Sequence, residues 1–171
     1  MKNIAFIGTS HIHTPNFISR VNSNNHINCI GVWDKDKNRS KSDSEKLKCK
    51  NYDNYIDLLK EPNLDGVIVC SETNLHYELV KKITENKKHC FIEKPLGIGK
   101  KDSFEMANLI ESSNIIFQTG YFMRSNPVYI KLKELIAANY FGEISRIRLV
   151  NCHDGITVSY THLRAHETFA N

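Results

Sequence analysis

A lysine follows a short apolar run in the segment Glu93-Lys94-Pro95, which comes after His89–Ile92. The run has the length and composition of a buried β-strand. In an open parallel sheet, ligands bind in the crevice outside the carboxyl ends of the strands. An ammonium group in such a crevice can stabilise negative charge on a bound molecule. The sequence therefore predicts that Lys94 meets a ligand, with a solvent-exposed Glu-Lys pair before a proline as the alternative.

A second candidate site is the loop after the apolar segment Asn3–Ile7. The three glycine positions of the dinucleotide motif G-x-G-x-x-G hold Gly8, Ser10 and His13. Ser10 is small and offers a hydroxyl, and the backbone N–H groups at the start of the following helix point toward an anion. We expect phosphate binding weaker than that of a three-glycine loop. An ordinary strand-to-helix turn is the alternative interpretation.

Asp34 ends the second apolar run, about 20 residues after the glycine motif, where an acidic residue accepts the adenosine ribose hydroxyls of NAD. A carboxylate at that position repels a 2′-phosphate, so the pattern favours NAD. Lys35 and Arg39 lie nearby and could attract that phosphate, which keeps NADP open as a cofactor. A simple turn residue is the other interpretation of Asp34.

His11 and His13 alternate in the glycine loop, a spacing that occurs in metal sites. Zinc sites use three or four protein ligands, and no third ligand lies near these two in sequence. We therefore expect no metal.

The composition is that of a globular protein: 171 residues, 40% hydrophobic and 25% charged, which suits one domain and a remainder. The net charge of +4 is spread along the chain, so a nucleic-acid groove is not expected. The five cysteines include no C-x-x-C pair, which favours reduced thiols and a cytoplasmic location. No apolar run has the ~20 residues of a membrane span, so no membrane partner is expected.

Strand-length apolar runs recur with helix-period segments between most of them, which predicts an α/β fold with a doubly wound parallel sheet. The expected strands are Asn3–Gly8, Ile27–Trp33, Gly66–Cys70, Cys90–Ile92 and Ile115–Gln118. The polar stretch 35–50 is expected to be a loosely packed surface helix or loop. Thr14, with Pro15 after it, is the expected N-cap of the first helix, and Thr73 or Asn74 that of a later one.

A domain boundary is expected near Thr119-Gly120, so that residues 1–119 form the domain with the parallel sheet. Residues 120–157 would begin a second, α+β domain, with a helix from Asn126-Pro127 to near Gly142 and a strand over Ile144–Val150. Residues 158–171 resemble translated sequencing-adapter read-through, and an authentic loop of the second domain is the alternative.

Together these segments resemble the Gfo/Idh/MocA oxidoreductases over roughly residues 2–150. The glycine loop, Asp34 and Glu93-Lys94-Pro95 occur in the order and with the separations of that family. The stretch from Ser71 to His76 is similar to the family's T-P-N-x-x-H segment, with Glu72 where the family has proline. The resemblance implies that residues 1–119 are a Rossmann domain that binds NAD, with NADP as the other option, and that residues 120–157 begin the substrate domain. It also implies that the chain is an N-terminal fragment and that the parent protein is a homo-oligomer.

The resemblance also implies site residues. Lys94 would be catalytic, reaching the nicotinamide ribose and stabilising the alkoxide that develops as hydride leaves a secondary alcohol of a sugar, cyclitol or similar polyol. Tyr121 and Arg124 would line the substrate mouth, although Arg124 could equally hold the terminal carbonyls of a helix. The expected cofactor-binding residues are Gly8, Thr9, Ser10, His11, Ile12, Asp34, Ser71, Asn74, His76, Glu93 and Lys94. A buried core histidine is the alternative for His76.

The family's second-domain segment with an aspartate and a histidine is missing, and His153-Asp154-Gly155 comes too early to replace it. Without that general base and the covering sheet, hydride transfer loses acid–base help and exclusion of water. We therefore expect the fragment to bind cofactor but hardly turn over. A dinucleotide-sensing or sugar-sensing regulator on the same fold is the alternative function, supported by the substituted glycine loop.

Overall fold

The computed structural model describes residues 1–150. Six strands alternate with helices along the first 126 residues. The strands are β1 (Lys2–Ile7), β2 (Ile27–Trp33), β3 (Lys50–Asn51), β4 (Gly66–Val69), β5 (His89–Ile92) and β6 (Phe117–Thr119). The helices are α1 (Thr14–Asn22), α2 (Lys37–Leu47), α3 (Tyr55–Leu59), α4 (His76–Glu85), α5 (Lys100–Ser113) and α6 (Pro127–Ala137).

All six strands are parallel and lie in the order β3-β2-β1-β4-β5-β6. The chain builds outward from β1 in one direction and then returns to build outward from β4 in the other. The strand order therefore reverses between β1 and β4, and this is the point where open α/β sheets bind ligands. The prediction of a Rossmann-type doubly wound sheet is confirmed.

The core lies on both faces of the sheet, as expected of a parallel sheet covered by helices. Successive side chains of a strand point to opposite faces. Along β1, Ala5 and Ile7 accordingly pack into one apolar cluster and Phe6 into the other. All three are fully buried, which fixes the register of the central strand and so the position of the loop that follows it.

Two predicted helix caps are wrong. His13, not Thr14, occupies the N-cap of α1, and Thr14 is already helical and buried. Neither Thr73 nor Asn74 caps α4, because a 3₁₀ turn over Thr73–Leu75 precedes that helix and places Leu75 at its N-cap.

The polar stretch 35–50 contains a helix, α2, although Leu47 is the one large apolar residue that this helix buries. Asp36 is its N-cap and accepts hydrogen bonds from the backbone N–H groups of Asn38 and Arg39. The helix ends at Leu47, and its C-cap, Lys48, has a left-handed backbone conformation (φ 52°). The two-residue strand β3 that follows was not predicted, since Lys50 and Asn51 carry no apolar signal.

A second compact unit begins at Pro127, seven residues beyond the boundary predicted near Thr119-Gly120. Helix α6 is present as predicted but ends at Ala137, well before Gly142. The predicted strand over Ile144–Val150 is wrong, because these residues have no regular secondary structure. A strand needs a hydrogen-bonded neighbour, and none is found for this segment within residues 1–150. The segment His153-Asp154-Gly155 and the predicted tail 158–171 lie outside the described residues.

Within residues 1–150, no helix is long and apolar enough to cross a membrane. Four cysteines of this range, Cys29, Cys49, Cys70 and Cys90, are free thiols.

Candidate cofactor-binding site

The turn after β1 is built around Gly8, which has a φ of 76°. That region of backbone space favours glycine, because other residues place Cβ too near a carbonyl oxygen. A Cβ at this position would also lie 2.7 Å from the Cα and 2.9 Å from the backbone nitrogen of Ser71, at the end of β4. Gly8 therefore lets the loops after β1 and β4 approach closely at the switch point.

The loop presents backbone donors at the start of α1. Thr9 N–H donates to Asp34 and His11 N–H to the Cys70 carbonyl. Within residues 1–150, no protein acceptor is found for the backbone N–H of Ser10 or Ile12. Unused N–H groups before a helix suit the oxygens of a phosphate. The Ser10 hydroxyl does not add to them, since it donates weakly to the Cys70 carbonyl at 3.4 Å.

Asp34 lies directly after β2 and is 1% exposed. Its carboxylate accepts hydrogen bonds from the backbone N–H groups of Thr9 (2.6 Å) and Asp36 (2.8 Å) and from the Arg39 guanidinium (2.9 and 3.1 Å). Burial acts to raise the pKa of Asp34, but the hydrogen bonds from Arg39, Asp36 and Thr9 outweigh it and hold the pKa below its usual value. Asp34 is thus a charged group with its oxygens already engaged.

Lys94 follows β5 at the same edge of the sheet, is half-buried, and is joined to Pro95 by a cis peptide bond. Its backbone N–H donates to the Glu93 carboxylate at 3.0 Å, so the turn is held by the side chain of the preceding residue. Gly120, after β6, approaches this carboxylate closely: a Cβ there would lie 3.0 Å from Glu93 Oε2. The residue before Lys94, Glu93, reaches the glycine loop, because its Oε1 lies 3.1 Å from His13 Nδ1.

Glu93 also joins the glycine loop to β5. Its side chain is 3% exposed; His13 Nδ1 lies 3.1 Å from Oε1 and His11 Nε2 lies 3.9 Å from Oε2. The ligand atoms of these three residues lie within 4.8 Å of one another. Sequence reasoning found no third ligand because Glu93 is distant in the chain. His11 Nδ1, however, accepts the His13 backbone N–H at 3.2 Å, which leaves the ring proton on the Nε2 that a metal would need.

His76 is 1% exposed at the start of α4. Its Nδ1 lies 3.0 Å from the Leu96 carbonyl oxygen and its Nε2 3.4 Å from that of Ser71. Burial lowers the pKa of His76, so the ring is neutral and donates to one of them. This arrangement is that of a buried, hydrogen-bonded core histidine, which is the alternative interpretation of His76 given by the sequence. It ties the loop after β4 to the loop that carries Lys94.

The remaining predicted residues lie around this edge with different exposure. Ser71 is buried against Gly8, whereas Asn74 is exposed on the 3₁₀ turn. Tyr121 is 45% exposed, and its hydroxyl accepts the Leu96 backbone N–H at 3.3 Å. Arg124 lies exposed in a 3₁₀ turn, Phe122–Ser125.

His11 gives the site a pH dependence. Burial lowers the pKa of His11 from 6.5 to about 4; Glu93 opposes this shift, whereas His13 and Lys94 add to it. The folded protein therefore binds this proton less readily than the unfolded chain. The free energy of unfolding is then highest above pH 6.5 and falls as the pH decreases toward 4.

We expect the urea midpoint of unfolding to be lower at about pH 5 than at about pH 7.5, and His11→Asn to reduce that difference. Asn retains an acceptor for the His13 N–H and removes the titrating ring. His76 contributes with the same sign, so part of the difference remains. The control is His26→Asn, at an exposed position. If the difference in urea midpoint between the two pH values is as large in His11→Asn as in the control, His11 does not cause the pH dependence.

The family model of oxidoreductases with an NAD-binding Rossmann fold matches residues 2–121. The chain is 35% identical over 102 residues to myo-inositol 2-dehydrogenase of Thermotoga maritima, which covers 60% of this chain and 30% of that protein. It is 27% identical over 132 residues to the NAD-dependent scyllo-inositol 2-dehydrogenase of Bacillus subtilis, covering 77% and 38%. The chain thus spans about a third of the length of these curated relatives.

Solved structures of dehydrogenases also resemble this chain. A probable dehydrogenase from Thermotoga maritima is 31% identical with a TM-score of 0.70, covering 82% of this chain and 42% of that one. A scyllo-inositol dehydrogenase from Lactobacillus casei with bound NAD(H) and scyllo-inositol has a TM-score of 0.72 at 18% identity, covering 85% and 43%, a likeness of fold alone. The family model matches most of the chain, including the parallel sheet and the loops at its carboxyl edge. The chain is therefore a member of the Gfo/Idh/MocA family of NAD-binding oxidoreductases.

Proposed function

We propose that the chain is the nucleotide-binding portion of an oxidoreductase that transfers hydride between nicotinamide and a secondary alcohol of a cyclitol, sugar or similar polyol. The observation that carries the proposal is that the Gly8 loop and the Glu93-Lys94 turn meet at the carboxyl edge of the sheet, where His13 Nδ1 lies 3.1 Å from Glu93 Oε1. Two relatives named as inositol dehydrogenases support the substrate class.

The backbone N–H groups of Ser10 and Ile12 would hold the pyrophosphate at the start of α1. The bound NAD would supply the hydride acceptor. The Lys94 ammonium, on a turn whose backbone N–H donates to Glu93, would stabilise an alkoxide on the substrate carbon that loses hydride. Tyr121 would lie beside it, since its hydroxyl contacts the same loop at Leu96.

The described residues supply a cation but no group assigned to remove the hydroxyl proton. General-base catalysis contributes about 100- to 10,000-fold to such reactions. We therefore infer that this chain alone binds the dinucleotide and is inactive, and that the parent protein adds the base and covers the nicotinamide.

The proposal is tested by titrating the chain with NADH and following energy transfer from Trp33, the single tryptophan of the sequence. Trp33 is next to Asp34, so a dinucleotide at this edge lies within transfer distance. We expect saturable binding with one equivalent and no oxidation of myo-inositol in the presence of NAD. A folded chain that shows no saturable signal would contradict the proposal.

The alternative function is that of a sensing regulator. The sequence of the full-length parent would distinguish it from an enzyme. An oxidoreductase requires a downstream aspartate and histidine for proton transfer, and a sensor does not. A full-length parent that binds NADH but reduces no NAD with any polyol would favour the regulator.

A further inference from the structure

Two free thiols face each other near the start of strand β2. Cys29, on β2, donates its S–H to the sulfur of Cys49 at 3.7 Å, and the Gly31 carbonyl at 3.6 Å is its other acceptor. Cys49 lies between the end of α2 and the short strand β3. The two cysteines are 20 positions apart in the chain, so their sulfurs meet only because the segment between them folds back through α2.

The backbone brings the two residues to the separation that a disulfide needs. Gly31 of β2 pairs with Lys50 of β3, so Cys29 lies two residues before this pair and Cys49 one residue before it. Neighbouring strands are about 4.8 Å apart and one residue adds about 3.3 Å along a strand, which puts the two Cα atoms about 6 Å apart. Disulfides join Cα atoms that are about 4.4–6.8 Å apart. The fold therefore allows a bridge after rotation of the side chains.

The surroundings of the pair also suit a disulfide. Cys29 is buried in an apolar cluster with Phe6, Val32 and Leu47, and Cys49 packs against this cluster. A polar group that is buried without a hydrogen-bond partner destabilises the fold. A disulfide has no charge and no polar hydrogen, so the apolar cluster accommodates the oxidised pair without leaving a donor unpaired.

One thiol of the pair is placed to react first. Cys49 is half-buried, whereas Cys29 is buried. The hydrogen bond from Cys29 lowers the pKa of Cys49 against the effect of burial, and the same contact raises the pKa of Cys29. The thiolate, not the thiol, is the nucleophile in cysteine chemistry. Cys49 is therefore the attacking sulfur, and Cys29 is the thiol that resolves the product.

A small oxidant can reach the pair from solvent. Cys29 lines an open cavity of about 290 Å³ between α1, β2 and the end of α2. Asn22, Asn24 and Asn28 line the same cavity, and their polar side chains suit a water-soluble molecule. Together with the half-buried Cys49, this cavity gives access to both sulfurs.

We propose that Cys29 and Cys49 are an oxidation site, at which hydrogen peroxide converts the two thiols into a reversible intramolecular disulfide. The bridge closes the loop of residues 29–49, which contains α2 and Asp34. It lies at the start of β2, away from the Gly8 loop, and the inference does not depend on the proposed function.

The reaction has two steps. The Cys49 thiolate attacks one peroxide oxygen, the O–O bond breaks, and the sulfur is oxidised to a sulfenic acid. The hydroxide that leaves takes up the proton that Cys49 had released and becomes water. The Cys29 sulfur then attacks the sulfenic sulfur, so that an S–S bond forms and the S–O bond breaks. A second water leaves with the Cys29 proton.

The experiment treats the folded, unaltered chain with excess hydrogen peroxide and then alkylates the remaining thiols in denaturant. The sequence has five cysteines, so we expect five alkylated thiols before oxidation and two fewer after it. A digest without reductant should contain one linked pair of peptides, with Cys29 joined to Cys49, which dithiothreitol separates. The oxidised chain should have a higher urea midpoint, because a closed loop restricts the unfolded chain.

Two variants separate the roles of the two sulfurs. In Cys29→Ser, the sulfenic acid at Cys49 has no resolving thiol, so the sulfenic-acid reagent dimedone should label Cys49. In Cys49→Ser, neither a disulfide nor a dimedone adduct should form at Cys29, because a buried thiol ionises poorly. The matched control is Cys90→Ala, which removes a buried thiol from the other apolar cluster. It should leave the bridge between Cys29 and Cys49 unchanged.

Three results would overturn the proposal. The first is an unaltered chain that keeps all its thiols in excess peroxide, and the second is a linked peptide pair that joins Cys152 of two molecules. The third is a lower urea midpoint in the oxidised chain, because the bridge would then distort β2 instead of fitting it. All three are measured on the unaltered chain, so they do not depend on the folding of any variant.

Discussion

Replacing Lys94 with alanine in the full-length parent should lower kcat about 100- to 1,000-fold, the effect of losing one group that stabilises a developing oxyanion. The Kd for NADH should change by less than about threefold, because in the proposed complex the pyrophosphate contacts the backbone N–H groups of the glycine loop and not Lys94. The measurement is steady-state oxidation of myo-inositol together with a fluorescence titration of NADH.

The control for Lys94→Ala is Lys101→Ala, which removes an exposed ammonium at the start of α5 that pairs only loosely with Glu105 (3.9 Å). It should leave both kcat and cofactor affinity unchanged. Full activity in Lys94→Ala would remove the catalytic assignment. A parallel loss of NADH binding would instead make Lys94 a cofactor-binding residue.

Gly8→Ala should destabilise the chain by about 2–5 kcal/mol, the sum of a left-handed backbone conformation and overpacking against Ser71. The nearest backbone atoms of Ser71 lie under 3 Å from the new methyl group and belong to a buried loop, so they cannot move away cheaply. The measurement is the free energy of unfolding in urea.

Gly99→Ala separates the two causes. Gly99 also has a positive φ, 87°, but nothing lies within 4 Å of an added Cβ. It should therefore cost only the backbone strain, about 1–3 kcal/mol. If Gly8→Ala is no more destabilising than Gly99→Ala, the loops after β1 and β4 are not in close contact.

Much of the fold could be predicted because it depends on local patterns. The apolar runs at β1, β2, β4 and β5 are nearly continuous, since both faces of a parallel sheet are covered, and such runs are easily found. The run at Ile115–Phe117 only partly overlaps the edge strand β6, Phe117–Thr119. Strand β3 was not predicted because it consists of two polar residues and is defined only by its pairing with Gly31 and Val32 of β2. The segment Ile144–Val150 has the right alternation but no neighbouring strand to pair with in the described residues.

The sequence indicated individual residues of the candidate site but not the contacts between their side chains. Gly8, Asp34 and Lys94 each follow a strand, and parallel strands bring their carboxyl ends to one edge. The contact between His13 and Glu93 joins residues that are far apart in the chain, and no single-sequence pattern signals it. The Asp34–Arg39 pair is only five positions apart, so its signal was present. That the guanidinium covers the carboxylate, however, follows only from the exposed fractions of the two side chains, which the structure gives.

Binding of a dinucleotide at the Gly8 edge of the sheet can be tested by an NMR titration of the ¹⁵N-labelled chain with NADH. We expect the largest amide shifts at Ser10, Ile12 and Lys94, with smaller shifts at Arg39 and no change at the opposite edge of the sheet, for example at Asn24 and Lys88. Saturable binding with its largest shifts at that opposite edge would show that the cofactor does not bind next to the Gly8 loop.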